Sequence, residues 1–78
     1  MQTIYVVETY KESGGEVRPE RAVICRNDQD AIGRAWAFSA SAVGVVAYSQ
    51  DVDLDLGEYA EPIVLARYGE VPLESRAI

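Results

Sequence analysis

The chain has 78 residues, 49% of them hydrophobic, with seven basic side chains against thirteen acidic ones and a formal net charge of −6 at pH 7. This length supports one small domain, residues 1–78, that hides about 60–65% of its unfolded surface, and the apolar content favours a packed core over intrinsic disorder. With no histidine and only Cys25, there is no Cys/His metal site, Ser/His/Asp triad, Cys/His dyad or intrachain disulfide, since each needs an imidazole or a second thiol.

Gln2 to Tyr10 is predicted to be a strand, because Ile4, Tyr5, Val6, Val7, Thr9 and Tyr10 are nearly all β-branched or aromatic. Gly14-Gly15 supplies positive φ for a hairpin turn. Val17 to Arg26 returns as a second strand with Ala22, Val23, Ile24 and Cys25 as its apolar part. Pro19 has no N–H to give a ladder, so the start of this strand is placed at an edge or bulge. Glu8, Glu16, Arg18, Glu20, Arg21 and Arg26 read as a solvated face, where cross-hairpin pairs contribute at most about 1 kcal/mol each. Cys25 reads as a small buried hydrophobe, and the competing reading is an exposed thiol that links two copies.

Asn27 to Val43 is the one long segment with helical periodicity, and it holds the only Trp and the only Phe. Asn27 or Asp28 serves as N-cap, and Asp30 puts negative charge at the positive end of the helix dipole. Ile32, Ala35, Trp36, Ser39, Ala42 and Val43 recur at spacings of three and four and are predicted to form the core face, flanked by Ala31 and Phe38. Gly33 weakens the helix by about 1 kcal/mol relative to Ala. Gly44 with Val45 and Val46 argues for an end near residue 43, and the alternative is a helix running on to about Tyr48.

Val45 to Leu56 alternates, with Val46, Tyr48, Val52, Leu54 and Leu56 against Ser49, Asp51, Asp53 and Asp55, which predicts a strand with one buried and one wet face. Gly57-Glu58-Tyr59-Ala60 is the expected connecting loop, and Glu61 to Tyr68 a last strand ended by Gly69-Glu70-Val71-Pro72. Leu73 to Ile78 is expected to be a loosely ordered tail. The expected fold is α+β: a two-layer ββαββ domain whose mainly antiparallel four-stranded sheet carries one helix on one face. The alternative is ββαβ, if the helix takes up the start of the third strand.

Between Arg34 and Arg67 there is no basic residue, while Asp51, Asp53, Asp55, Glu58 and Glu61 contribute −5 of the net −6. Three aspartates on one strand face lie about 6.5–7 Å apart, near the phosphate spacing of a DNA strand. Such a row is suited to a basic protein surface, and the simpler reading is a solvated face that aids solubility. Tyr59 lies in the acidic loop and is the tyrosine expected to be exposed as an anchor, whereas the other four are expected to pack in strands. Asp51, Asp53 and Asp55 match the first ligand positions of an EF-hand loop. Leu56 stands where that loop needs Gly and Pro62 where it needs Glu, so no metal or other cofactor is assigned. Seven dispersed basic residues give no patch for direct nucleic-acid binding, and no apolar run is long enough to span a membrane, so a cytoplasmic monomer or homodimer is expected.

In size, acidity, ββα start, lack of catalytic residues and the carboxylate cluster Asp51-Val52-Asp53-Leu54-Asp55 with Gly57-Glu58-Tyr59, the chain resembles the small anti-CRISPR proteins of phages and mobile elements that act on type I Cascade complexes. The resemblance implies a non-enzymatic, stoichiometric inhibitor in the cytoplasm of a host bacterial cell. It would occupy the basic nucleic-acid channel of a Cas subunit and exclude target DNA, with Asp51, Asp53, Asp55, Glu58, Tyr59 and Glu61 as contacts. The alternative is a small structural or regulatory phage protein that self-associates through a strand edge, its acidic segment serving solubility.

Overall fold

The computed structural model describes residues 1–72; the tail expected at 73–78 lies outside the described residues. Five strands and one helix follow in the order β1 (Gln2–Ser13), β2 (Glu16–Cys25), α1 (Asp28–Phe38), β3 (Gly44–Asp53), β4 (Glu58–Tyr59) and β5 (Ile63–Gly69). Every ladder is antiparallel, and the sheet runs β2-β1-β3 with both β4 and β5 on β3. Because β1 pairs with β3 from Gln2↔Val52 to Tyr10↔Gly44, β4 and β5 share the opposite edge of β3. With α1 packed on one face, the fold is the expected α+β arrangement, and the alternative without a separate early β3 is overturned because Gly44 already pairs as strand.

The β1–β2 hairpin closes at Gly14 and Gly15, whose φ values of +61° and +83° suit a tight two-residue turn between the paired Ser13 and Glu16. Both strands run further than their apolar runs, because the turn carries the ladder through the polar residues up to Ser13. Pro19 sits where the register jumps, with Thr9 opposite Arg21 and Tyr10 opposite Pro19, so Glu20 is the extra residue of a bulge in this edge strand. Glu16, Arg18, Glu20, Arg21 and Arg26 are exposed, the solvated face that their pattern predicts. Lys11 faces Arg18, and Arg18 pairs instead with Glu16 on its own strand at 2.9 Å.

The helix start is as the residues dictate. Asn27 Oδ1 accepts the Asp30 N–H at 2.8 Å, a cap that contributes about 1 kcal/mol. Asp30 reaches back in turn to accept the Arg26 N–H at 3.0 Å and holds the Arg34 guanidinium at 3.1 Å. The backbone N–H of Arg26, then the Arg34 side chain, hold the Asp30 carboxyl below the usual carboxylate range. The helix ends at Phe38, short of residue 43. Ser39 turns its Oγ onto the Trp36 carbonyl at 2.6 Å, and Ser41 and Ala42 both donate to Phe38 in a closing turn.

The predicted core face of α1 is corrected by about one residue of rotation. Ala31 and Ala35 are the buried positions, with Phe38 and Ala42 packed beside them, while Ile32, Val43 and Trp36 are exposed, Trp36 by 67%. Two alanines let the helix backbone lie close to Val7, Val45 and Ala47, leaving no room for an indole between the layers. Trp36 is carried to the side, where its ring meets Tyr68 of β5 edge-on at a centroid distance of 5.6 Å.

β3 is covered more completely than its alternation predicts. Val45, Val46, Ala47 and Tyr48 are all buried. Val45 and Ala47 join Val7 and Cys25 beneath α1, and Val46 and Tyr48 join Val6 and Tyr10 on the opposite face, where Ile4, Val17 and Val71 pack. Cys25 is buried as expected, so the reading in which its thiol links two copies is overturned.

β3 and β5 meet at facing glycines, Gly44 and Gly69. A Cβ on Gly44 would collide with the Glu70 carbonyl and one on Gly69 with the Val43 carbonyl, and Gly69 has φ +70°. Gly69→Ala should therefore lower stability by more than the ~1–2 kcal/mol of a positive φ alone, whereas Gly33→Ala, with open space around its Cβ, should raise it by about 0.5–1 kcal/mol; urea unfolding of both variants measures the contrast. Because the Asp30 carboxyl is held below its unfolded value, its contribution is present above the unfolded carboxylate range and is lost as pH falls through the folded value. The difference in Tm between wild type and Asp30→Asn should accordingly be largest near neutral pH and close up in acid.

Candidate functional site

The acidic residues are carried on an arm formed by the end of β3, the turn at residues 54–57, β4, and residues 60–62 before β5. Its base is fixed by backbone contacts. The Ala60 N–H donates to the Asp51 carbonyl at 2.9 Å, and the buried Gln50 side chain donates to the Ala60 carbonyl at 2.8 Å. Val52, buried, faces Tyr59 across the ladder.

The expected row of three aspartates on one strand face is corrected. β3 ends at Asp53, so only Asp51 and Asp53 alternate along it, and Asp55 lies in the turn. The break is made by Asp53 itself, whose Oδ1 accepts the N–H groups of Asp55 at 3.1 Å and Leu56 at 3.2 Å, while Gly57 reverses the chain at φ +68°. Asp51 is also engaged, accepting the Thr3 hydroxyl at 2.6 Å. Two of the three aspartates thus hold the arm's own structure, and Asp55, Glu58 and Glu61 are the acids turned to solvent without a described bond.

The expected connecting loop at Gly57–Ala60 is corrected as well, since Glu58 and Tyr59 pair with Asp53 and Val52 as β4. This sets Asp53 and Glu58 opposite each other in the ladder, with the Asp53 carboxylate turned onto the Asp55 and Leu56 N–H groups, and no Lys or Arg among the described residues forms an ion pair with either. Like charges facing across a ladder are destabilising. Lys11 and Arg18, at the other end of the sheet, face each other in the same way, but there Glu16 neutralises Arg18.

Periodicity missed the apolar side chains of the arm. Leu54 and Leu56, placed on a buried face by their alternation, are 66% and 69% exposed because the strand has already turned. Tyr59 is exposed, as its position in the acidic segment suggested, while Tyr10 and Tyr48 are buried. The signal for the leucines was present in Asp53-Leu54-Asp55-Leu56-Gly57, a stretch in which Asp and Gly at fixed offsets mark a turn.

Burial pushes the Cys25 thiol up, aided by the Asp30 carboxylate. The Tyr10 hydroxyl donates to Glu8 at 2.7 Å, and burial raises it far above its ordinary value and pushes Tyr48 up to about 12. Among the described residues no three His, Cys, Asp or Glu side chains converge to hold a metal ion, and no helix is long and apolar enough to cross a membrane. Compared with protein-family models, curated proteins and solved structures, the chain matches none.

The facing acids make a direct test of the arm. Glu58→Lys should stabilise the domain by about 0.2–1 kcal/mol through an opposite-charge pair with Asp53, and the gain should shrink at high salt, as read by thermal unfolding at two ionic strengths.

Proposed function

We propose that the protein is a non-enzymatic, stoichiometric inhibitor that presents its acidic arm to a basic, nucleic-acid-binding protein surface, in the manner of an anti-CRISPR protein on a type I Cascade subunit. The observation that carries this reading is the facing pair Asp53 and Glu58, unneutralised within the described residues and flanked by exposed Leu54, Leu56 and Tyr59. A face serving solubility alone has no use for three large apolar side chains among its carboxylates. A protein contact does, since an apolar or aromatic anchor supplies affinity while the surrounding charge sets on-rate and partner choice.

Within this reading the roles of the six acidic-segment residues divide. Asp51 and Asp53 shape the arm through Thr3 and the turn, Asp55, Glu58 and Glu61 meet the partner's cations, and Tyr59 is the anchor. The test uses purified type I Cascade, with binding followed by gel filtration and target-DNA binding followed at two salt concentrations. The wild type should bind in a salt-sensitive way and exclude DNA. Glu58→Lys, which keeps the fold and should make it more stable, should bind at least about 10-fold more weakly. Absence of binding by the wild type, or undiminished binding by Glu58→Lys, would remove the arm from this role.

A further inference from the structure

At the end of the sheet away from the arm, the helix and the β1–β2 hairpin leave a cavity of about 260 Å³ between them. Thr9 of β1 forms its floor, Glu20 and Arg21 of β2 its rim, and Phe38 with Ser41 and Ala42 of the closing turn its helix-side wall. Thr9 stands opposite Val45 near the start of β3, whereas the arm leaves from the end of that strand.

The polar groups of this cavity are not used by the fold. Thr9 is 5% exposed, yet its hydroxyl makes no hydrogen bond with a described residue. Among the described residues no side-chain oxygen or nitrogen closed off from water lacks a partner, so this hydroxyl opens onto the cavity that it lines. Neighbours in a regular strand point to opposite faces. The bulge at Glu20 breaks that alternation, and Glu20 and Arg21 both line the same cavity. They form no ion pair with each other or with any other described residue.

The charges select the ligand. A simple anion would gain Arg21 but meet Glu20 and a domain of net charge −6, and a simple cation would gain Glu20 but meet Arg21. A zwitterion satisfies both. Arg21 faces Thr9 across the ladder, where Cβ atoms lie about 4.5–5.5 Å apart, so guanidinium and hydroxyl can converge on one carboxylate, the group that the planar fork of Arg matches best. Glu20 and the Ser41 hydroxyl remain for an ammonium, and Phe38 with Ala42 offers an apolar wall to a hydrocarbon side chain. The volume lies below the roughly 300–1,000 Å³ of pockets that take drug-sized ligands and suits a molecule of amino-acid size. We propose that this cavity binds a free α-amino acid with an apolar side chain, its carboxylate on Arg21 and Thr9 and its ammonium on Glu20.

This inference does not rest on the inhibitor reading and is tested on the full chain with L-leucine as the probe. Titration should move the backbone amide resonances of Thr9, Arg21, Phe38 and Ser41 in a saturable way, with a Kd of about 1 mM or below, and leave those of Glu58 and Tyr59 in place. Leucinamide, which lacks the carboxylate, and isocaproate, which lacks the ammonium, should each bind at least about 10-fold more weakly, since each leaves one charge of the site unmet. Arg21→Gln and Glu20→Gln, both at exposed positions where the fold does not need the charge, should weaken L-leucine binding to the same extent. Thr9→Val, which keeps the shape and removes the hydroxyl, should weaken it by about 3–10-fold. Absence of saturable shifts at about ten times that concentration, an analogue that binds as tightly as L-leucine, or undiminished binding by both charge variants would overturn the proposal.

Discussion

The double burial of β3 is the constraint on which the rest of the domain depends. Val45, Val46, Ala47 and Tyr48 are consecutive and all inaccessible, and successive side chains of a strand point to opposite faces. A strand in that state needs hydrogen-bonding neighbours on both edges and apolar cover above and below. β1 and β5 supply the edges, α1 covers one face, and Val6, Tyr10, Ile4, Val17 and Val71 line the other. Each fully buried valine contributes about 1.5–3 kcal/mol relative to exposure, a large share of the stability of a domain this small.

The neighbouring features are consequences of that demand. The helix must come close to β3 to seal it, which is why alanines face the sheet and the large side chains Ile32 and Trp36 are displaced to the flank. The chain must also enter and leave the β3–β5 ladder in a narrow space, which is why glycines face each other at Gly44 and Gly69, and why the Glu70 N–H lies 3.0 Å from the Val43 carbonyl. Where the demand ends, beyond Val52, the chain turns through an arm whose acids and leucines face solvent. The centre of the sheet therefore holds the fold, and the regions left over at its end and edge are available for contacts.

Those two regions differ in chemistry. The arm combines unneutralised carboxylates with exposed Leu54, Leu56 and Tyr59, a surface that suits a cationic protein partner. The outer edge of β5 has no backbone partner among the described residues and exposes Ile63 and Val64.

Much of the fold was legible in the residues because it rests on local rules. β-branched runs, the Gly14-Gly15 turn, the displaced ladder at Pro19, the Asn27 cap and the stop at Gly69 each follow from backbone chemistry within a few residues. So does the exposure of Tyr59 and the concentration of negative charge between Asp51 and Glu61. What only the tertiary structure decided is which side of each element faces inward. Helical spacing put Ile32, Ala35 and Trp36 on the core face with Ala31 on its flank, and the distance between helix and sheet, which no local pattern encodes, kept Ala35, brought Ala31 in and moved Ile32 and Trp36 out. By contrast, the end of β3 is a local event that alternation overran, since Asp53 caps a turn two and three residues on and Glu58 and Tyr59 pair straight back, which turns two leucines outward. Backbone rules act over three or four residues and can be read along the chain, whereas burial is settled by residues far apart in sequence and exists only once the layers have met.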